Sequence, residues 1–247
     1  MRITRIYYPI QLENKQEISL DAGVSHRLLR VLRLQQNDFI IIFNENNGAY
    51  KAKIISTQKE KVKILLEDSS PSIKEPPITI NLAQALLRNE KMDFVIQKAT
   101  ELGVKSITPI ATEHCNLILN AERQERRLQH WQEVAISASE QSGRCSVPQI
   151  SNLQSLQNYL TNSKEELKLV LAPEAPFSLN TLIQQQKIPP KTLTFLVGPE
   201  GGLSSNEINL MKQQGFVPVT LGKRILRTET ASLVALSIIQ SAWGDLN

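Results

Sequence analysis

An α/β protein with a mostly parallel sheet, preceded by a small β domain, is the fold class that the 247-residue sequence predicts. Three observations carry this expectation. Apolar strand-like runs alternate with amphipathic helical runs over the later two-thirds of the chain, short β-branched runs precede them, and a proline-rich segment separates the two regions.

In the first region the β-branched runs are Phe39 to Phe43, Tyr50 to Ser56 and Val62 to Glu67, divided by the turn-rich NENNG and by TQKEK. That spacing predicts a small β-barrel or sheet. From Glu67 to Pro77 the chain reads EDSSPSIKEPP, whose three prolines, three serines and four charges supply no material for a regular element, and it reads as a linker. The expected boundaries are 1–70 for the β domain, 71–77 for the linker and 78–247 for the α/β domain. The latter begins with the strand ITINLAQAL and a helix from Glu90 to Leu102 closed by Gly103. SITPIAT and a long helix ending near Gly143 follow. Next come LKLVLA, a helix near Ser178 to Gln186, TLTFLVG, a helix after Leu203, VPVTLG, and a last helix from about Thr230 to Trp243. Met92, Val95, Ala99 and Leu102 recur at steps of three and four, which turns Lys91 and Lys98 outward. In the last helix nine of the thirteen residues from Ala231 to Trp243 are apolar, so it is expected to be covered either on two sides, by its sheet and another subunit, or wholly within one core.

Composition narrows the function. No apolar run is long enough to span a bilayer and MRITRIYYPI lacks the pattern of a signal peptide, so the expected location is the cytoplasm. Two cysteines cannot form a disulfide framework, and three histidines supply no zinc-type spacing, so no metal is expected. A net charge of +4 permits a nucleic-acid partner without requiring one.

The segment LVGPEGGLSSNE, Leu196 to Glu207, reads as a strand, a glycine-rich loop and a helix start, with Ser204 and Glu207 spaced as a capping box. It matches neither the dinucleotide fingerprint nor the P-loop, which points to a ligand held by backbone groups without a pyrophosphate. A second glycine-bearing loop, GKRILRTETA from Gly222 to Ala231, leaves the next strand before a helix that Thr228 or Thr230 would cap. In open α/β sheets such loops at strand carboxyl ends share one site. Arg227 and Glu229 stand at the mouth of that helix, either as functional groups or as a surface ion pair. Before the linker, Arg27, Arg30 and Arg33 recur every third residue, predicting a helical stripe suited to phosphates.

GPEGGLS at Gly198 to Ser204, LGKRILRTETA at Leu221 to Ala231, KMDFVIQKATELGV at Lys91 to Val104 and EQSGR at Glu140 to Arg144 together resemble the signatures of the RsmE family, of the SPOUT class of methyltransferases. HRLLRVLRL at His26 to Leu34 resembles that family's PUA-like RNA-binding domain, so the resemblance covers nearly the whole chain. It departs modestly at Tyr7 and Tyr8. The resemblance implies a homodimer, a trefoil-knotted parallel sheet domain after a small PUA-like β-barrel, and N3-methylation of a specific uridine of 16S ribosomal RNA, with the assembled small subunit as the expected partner. The implied S-adenosylmethionine site comprises Leu171, Ala172, Leu196, Gly198, Pro199, Gly201, Gly202, Leu221, Gly222, Ile225, Leu226 and Thr228. Without the resemblance, the strand order would indicate an unknotted doubly wound sheet.

Methyl transfer from a sulfonium requires alignment rather than a metal or a covalent enzyme intermediate. Removing the uracil N3 proton near neutrality costs about 3–4 kcal/mol. Arg227 is the candidate for stabilising the developing anion, and Glu200 or Glu174, with Glu229 as a further carboxylate, is the candidate for taking the proton, provided burial raises its pKa. Arg5, Arg27, Arg30, Arg33, Arg88, Lys91 and Arg144 are the candidate RNA contacts. Two rival readings remain at this level: an RNA-binding module without catalysis, which leaves the glycine loops unexplained, and a nucleotide-dependent enzyme of small metabolites, which predicts indifference to RNA.

Overall fold

The computed structural model describes residues 3–71, 74–115 and 120–246; Ser72 and Ile73 of the predicted linker lie outside them. The chain forms two compact units, Met1–Glu75 with Ser139–Val147, and Pro76–Ala138 with Pro148–Asn247. The segment Ser139–Val147, which the sequence boundaries place in the α/β domain, is thus grouped with the first unit.

The first unit contains β1 (Thr4–Tyr7), β2 (Glu17–Ser19), α1 (Ala22–His26), a π-helical turn (Arg27–Val31), β3 (Phe39–Asn44), β4 (Gly48–Ser56) and β5 (Lys63–Ser70). They make a five-stranded sheet of order β1-β3-β4-β5-β2, antiparallel except for the β1/β3 pair. Alternation along the strands sends Ile40, Ile42, Ala52, Ile54, Ile64 and Leu66 to one face, where they pack with Leu28 of the π-turn. Each large aliphatic side chain buried there contributes about 1.5–3 kcal/mol. The β3–β4 turn is fixed by Asn44, whose Oδ1 accepts the N–H groups of Asn46 and Asn47.

Two expectations are corrected here. β5 continues to Ser70 by pairing with Ala49 and Tyr50, so Glu67–Ser70 is strand rather than linker; the partner strand's ladder overrides weak local propensity. The arginine stripe does not form on one helical face. Asp21 caps α1 through Val24 N–H, but the helix widens to a π-turn at Arg27 and ends at Val31, leaving Arg33 beyond it at φ +56°.

The second unit contains β6 (Thr79–Ala85), α2 (Asn89–Glu101), β7 (Ser106–Ala111), α3 (Ala121–Ser142), β8 (Gln149–Ile150), β9 (Gln154–Ser155), α4 (Leu156–Asn162), β10 (Leu167–Leu171), α5 (Leu179–Gln185), β11 (Thr192–Val197), α6 (Ser205–Gln213), β12 (Val217–Val219) and α7 (Thr228–Trp243). The last residues of α3, from Ser139, belong to the first unit. The sheet is parallel throughout, in the order β12-β10-β11-β6-β7-β8, with β9 also on β7. Continuous burial of β11, from Leu193 to Val197, is what a central parallel strand covered on both faces requires. β10, β11 and β12 therefore deliver their carboxyl-end loops to one edge, beside the end of β6.

α2 buries Met92, Val95 and Ala99, as its periodicity predicts, and Ile96 as well, whereas Leu102 of that series is only half-buried at the carboxyl cap. α7 packs against α2 and α5 with Ser232, Ala235, Leu236 and Ile239 inward, while Leu233, Val234 and Ile238 stay partly exposed. Gln240 Nε2 donates to Leu102 O (2.7 Å), which joins α7 to the end of α2, and Gly103, at φ +84°, supplies the left-handed residue that closes α2.

Candidate active site

The first glycine loop is built from three directions. Ser204 caps α6 through Glu207 N–H (3.2 Å), and Glu207 Oε2 accepts Ser204 N–H (2.9 Å), completing the predicted capping box. The other oxygen of Glu207 accepts Glu113 N–H (2.8 Å) from the segment after β7. Beside it, His114 Nδ1 lies 3.1 Å from Gly201 O and 3.2 Å from Gly202 O, so that nitrogen carries the proton and donates to the loop. Sequence reasoning missed this role for His114, since a lone histidine remote from the loop carries no spacing signal. Gly198 is held by packing, as a Cβ there would lie 2.8 Å from Leu203 Cγ.

The second loop follows β12. Thr220 N–H donates to Phe177 O (3.1 Å), and Thr220 Oγ1 accepts Gly222 N–H (3.3 Å), which ties this loop to the one after β10. Gly222 at φ +119° and Gly202 at φ +74° leave open space where a side chain would stand, so each loop presents bare backbone. Leu171 and Ala172 close β10 beside them, and Ala172 N–H donates to Val219 O (3.0 Å). Leu221 and Leu226 are half-buried, whereas Ile225 is 86% exposed. Leu196 is buried in β11, while Pro199 follows Gly198 into the first loop.

α7 begins at Thr228 with Arg227 as its N-cap residue and no side-chain cap. The predicted cap at Thr228 or Thr230 is therefore corrected: Thr228 is already helical and buried, and its carbonyl lies 3.0 Å from the Ser232 hydroxyl, which donates to Gln84 Oε1 of β6 (2.6 Å). That buried link fixes the first turn of α7 on the sheet and leaves the Arg227 side chain exposed at the loop.

Lys91 does not merely face outward. Its ammonium donates to Glu200 (2.8 Å) and lies 3.7 Å from Glu229 Oε2, while the positive charge of Arg227 opposes it. The bond to Glu200 raises the Lys91 pKa. The same bond, aided by the charges of Lys91 and Arg88, holds the Glu200 carboxyl below its ordinary range despite opposing desolvation. A general base requires the reverse, so the proposal that burial lifts Glu200 is corrected: it is 44% exposed and paired with a cation. Glu174 is exposed on the loop after β10, and Arg88 is exposed just before α2.

Within the first unit the arginines divide into two groups. Arg144, 6% exposed, donates to Glu75 Oε2 (2.6 Å) and to Ser146, and Arg5 donates to the Arg144 carbonyl while its guanidinium stacks on Phe43. Arg27 makes a two-point contact with Glu140, which is 6% exposed and also accepts Tyr7 N–H. Arg30 pairs with Glu60 at the surface, and Arg33 is exposed. No helix among the described residues is long and apolar enough to cross a membrane, and no metal-binding cluster is present among them.

Comparison with known proteins identifies both regions of the chain. Residues 74–240 match the family model of the RNA methyltransferase domain, and residues 20–67 that of the RNA methyltransferase PUA domain. The chain is 37% identical to ribosomal RNA small subunit methyltransferase E of Buchnera aphidicola subsp. Schizaphis graminum, covering 100% of this chain and 99% of the relative. It is 31% identical to the enzyme of that name from Bacillus subtilis, over 93% of this chain and 91% of the relative. A crystal structure of the Neisseria gonorrhoeae ribosomal RNA small subunit methyltransferase E, bound to S-adenosylmethionine, superimposes with a TM-score of 0.92 at 35% identity, covering 100% of both chains. The parallel sheet and its loops thus define an RNA methyltransferase of the SPOUT class, joined to a PUA-like domain. Within that class, the chain belongs to the ribosomal RNA small subunit methyltransferase E family.

Proposed function

We propose that this protein transfers a methyl group from S-adenosylmethionine to N3 of a specific uridine in 16S ribosomal RNA, in the cytoplasm and on the assembled small subunit. The observation that carries the reading is the presence of two glycine-bearing loops, Gly198–Gly202 and Leu221–Arg227, at the carboxyl ends of β11 and β12, which flank β10, with an exposed arginine closing the second. Open space at Gly202 and Gly222 suits a ligand recognised by amides and carbonyls, and Leu171, Ala172, Leu196, Pro199, Ile225, Leu226 and Thr228 supply the surrounding walls. The donor supplies an already activated methyl group, so the chain's task is orientation and charge.

Arg227 stabilises negative charge developing on the uracil carbonyls as N3 loses its proton, since its guanidinium stays protonated. Glu174 is the remaining candidate among the three carboxylates first considered for taking that proton, because Glu200 and Glu229 both face the ammonium of Lys91. In the first unit, Arg30 and Arg33 contact RNA phosphates, while Arg5 and Arg144 hold the unit together. Arg27 shares its charge between Glu140 and solvent, and Arg88 presents a further cation near α2. The partly exposed apolar face of α7, with Ile238 and Ala242 along a groove facing Ile183 of α5, is the surface on which a homodimer forms. The carboxyl-terminal sheet carries the trefoil knot of the class, with β11 inserted between β10 and β6.

Mapping modified bases in small-subunit RNA from a strain lacking this gene tests the reading. Loss of one N3-methyluridine, restored by the wild-type gene, is expected; an unchanged modification pattern would overturn it.

A further inference from the structure

Lys91 stands between the first glycine loop and the first turn of α7. It lies in the first turn of α2, whose Met92, Val95, Ile96 and Ala99 are fully buried, so its backbone is anchored to the sheet. Its ammonium holds Glu200 of the first loop at 2.8 Å and stops 3.7 Å short of Glu229 Oε2, at the start of α7. That oxygen is enclosed and has no hydrogen-bond donor among the described residues. A carboxylate oxygen removed from water without a donor is unfavourable. An ammonium carries three hydrogens, and shortening the gap by roughly 1 Å would let one lysine serve both carboxylates.

We infer that Lys91 is a positioning residue for the methyl donor: it ties the Glu200 loop to the amino end of α7, and its contact with Glu229 is completed as the loops close on the ligand. The inference rests on the reading that these loops hold S-adenosylmethionine. It replaces the RNA-phosphate role that the sequence suggests, since a phosphate would have to compete with two carboxylates for the same cation.

The test compares wild type, Lys91→Met, Lys91→Arg, Glu229→Gln and the Lys91→Met/Glu229→Gln pair. S-adenosylmethionine affinity is read by titration calorimetry, and affinity for a small-subunit RNA fragment is read across a salt series. Lys91→Met is expected to weaken donor binding about tenfold, and adding Glu229→Gln to cause no further loss, because the two changes remove one shared contact. Lys91→Arg, which keeps the charge, recovers most of the affinity and guards against a Met variant that fails to fold. RNA affinity and its salt slope stay within about twofold of wild type. Unchanged donor affinity, strictly additive losses, or a salt slope shallower by about one unit in Lys91→Met overturns the inference. Wild-type protein that binds no donor overturns the functional reading as well, whereas normal wild-type binding with unaffected variants overturns the inference alone.

Discussion

In the first unit, Arg144 is sealed from water against Glu75, and Glu140 is sealed against Arg27, so each pair has one member that cannot leave without stranding its charge. In the second unit, Lys91 and Glu200 both keep partial access to solvent, Lys91 is shared with Glu229, and Arg227 faces outward. A sealed pair specifies architecture, because breaking it leaves a buried charge or donor unmet. An open cluster contributes little to folding but can rearrange around a ligand at little cost. Charges of one sequence type therefore serve two purposes, and burial of a partner tells them apart.

The sharpest way to break this contrast is to remove a charge from each side. Arg227→Ala is expected to lower the rate of methyl transfer about 10²–10³-fold while leaving donor affinity within a few-fold, as single-turnover kinetics and calorimetry would report. Equal losses in both would take Arg227 out of the transition state. Glu140→Ala is expected to cost about 1–3 kcal/mol in denaturant unfolding, because Tyr7 N–H and Arg27 lose their acceptor together. A stability loss from Arg227→Ala as large as that from Glu140→Ala would erase the distinction.

Smaller effects sharpen it. Arg30→Ala removes only a surface pair with Glu60, so stability should change by less than about 1 kcal/mol. RNA binding should weaken, and its salt dependence should become shallower by about one unit if Arg30 meets a phosphate. The smallest expected effect is the pH dependence of the Lys91–Glu200 tie. Glu200 is lowered from 4.5, so its stabilising share is fully present above that value and is lost as pH falls through the lowered pKa. Lys91 is raised from 10.5, so its share is fully present below that value and is lost as pH rises past the raised pKa. Donor affinity attributable to this tie should be flat between those limits, and a midpoint near neutrality would assign control to another group.

The parallel sheet was readable because its strands and helices differ in period and length, and the capping box at Ser204 and Glu207 marked α6 directly. The extension of β5 to Ser70 was not readable, since serines and acids form a strand only when a partner ladder holds them. Spacing alone suggested an arginine stripe, but the helix changes from α- to π-geometry at Arg27, where Leu28 is buried, and ends at Val31 before Arg33. The glycine loops and Arg227 stood out in the chain. Lys91 stood out only as a candidate RNA contact and His114 not at all, because their partners Glu200 and Gly201 lie about a hundred residues away.

The central claim is that two bare-backbone loops beside Arg227 deliver a methyl group to a ribosomal uridine. Incubating the protein with methyl-labelled S-adenosylmethionine and small subunits from cells lacking the gene tests it most directly. The proposed function predicts about one labelled methyl per subunit, at N3 of a single uridine, and near-complete loss of labelling with Arg227→Ala. Label that appears on another base, or no transfer from folded, donor-bound protein, would contradict it.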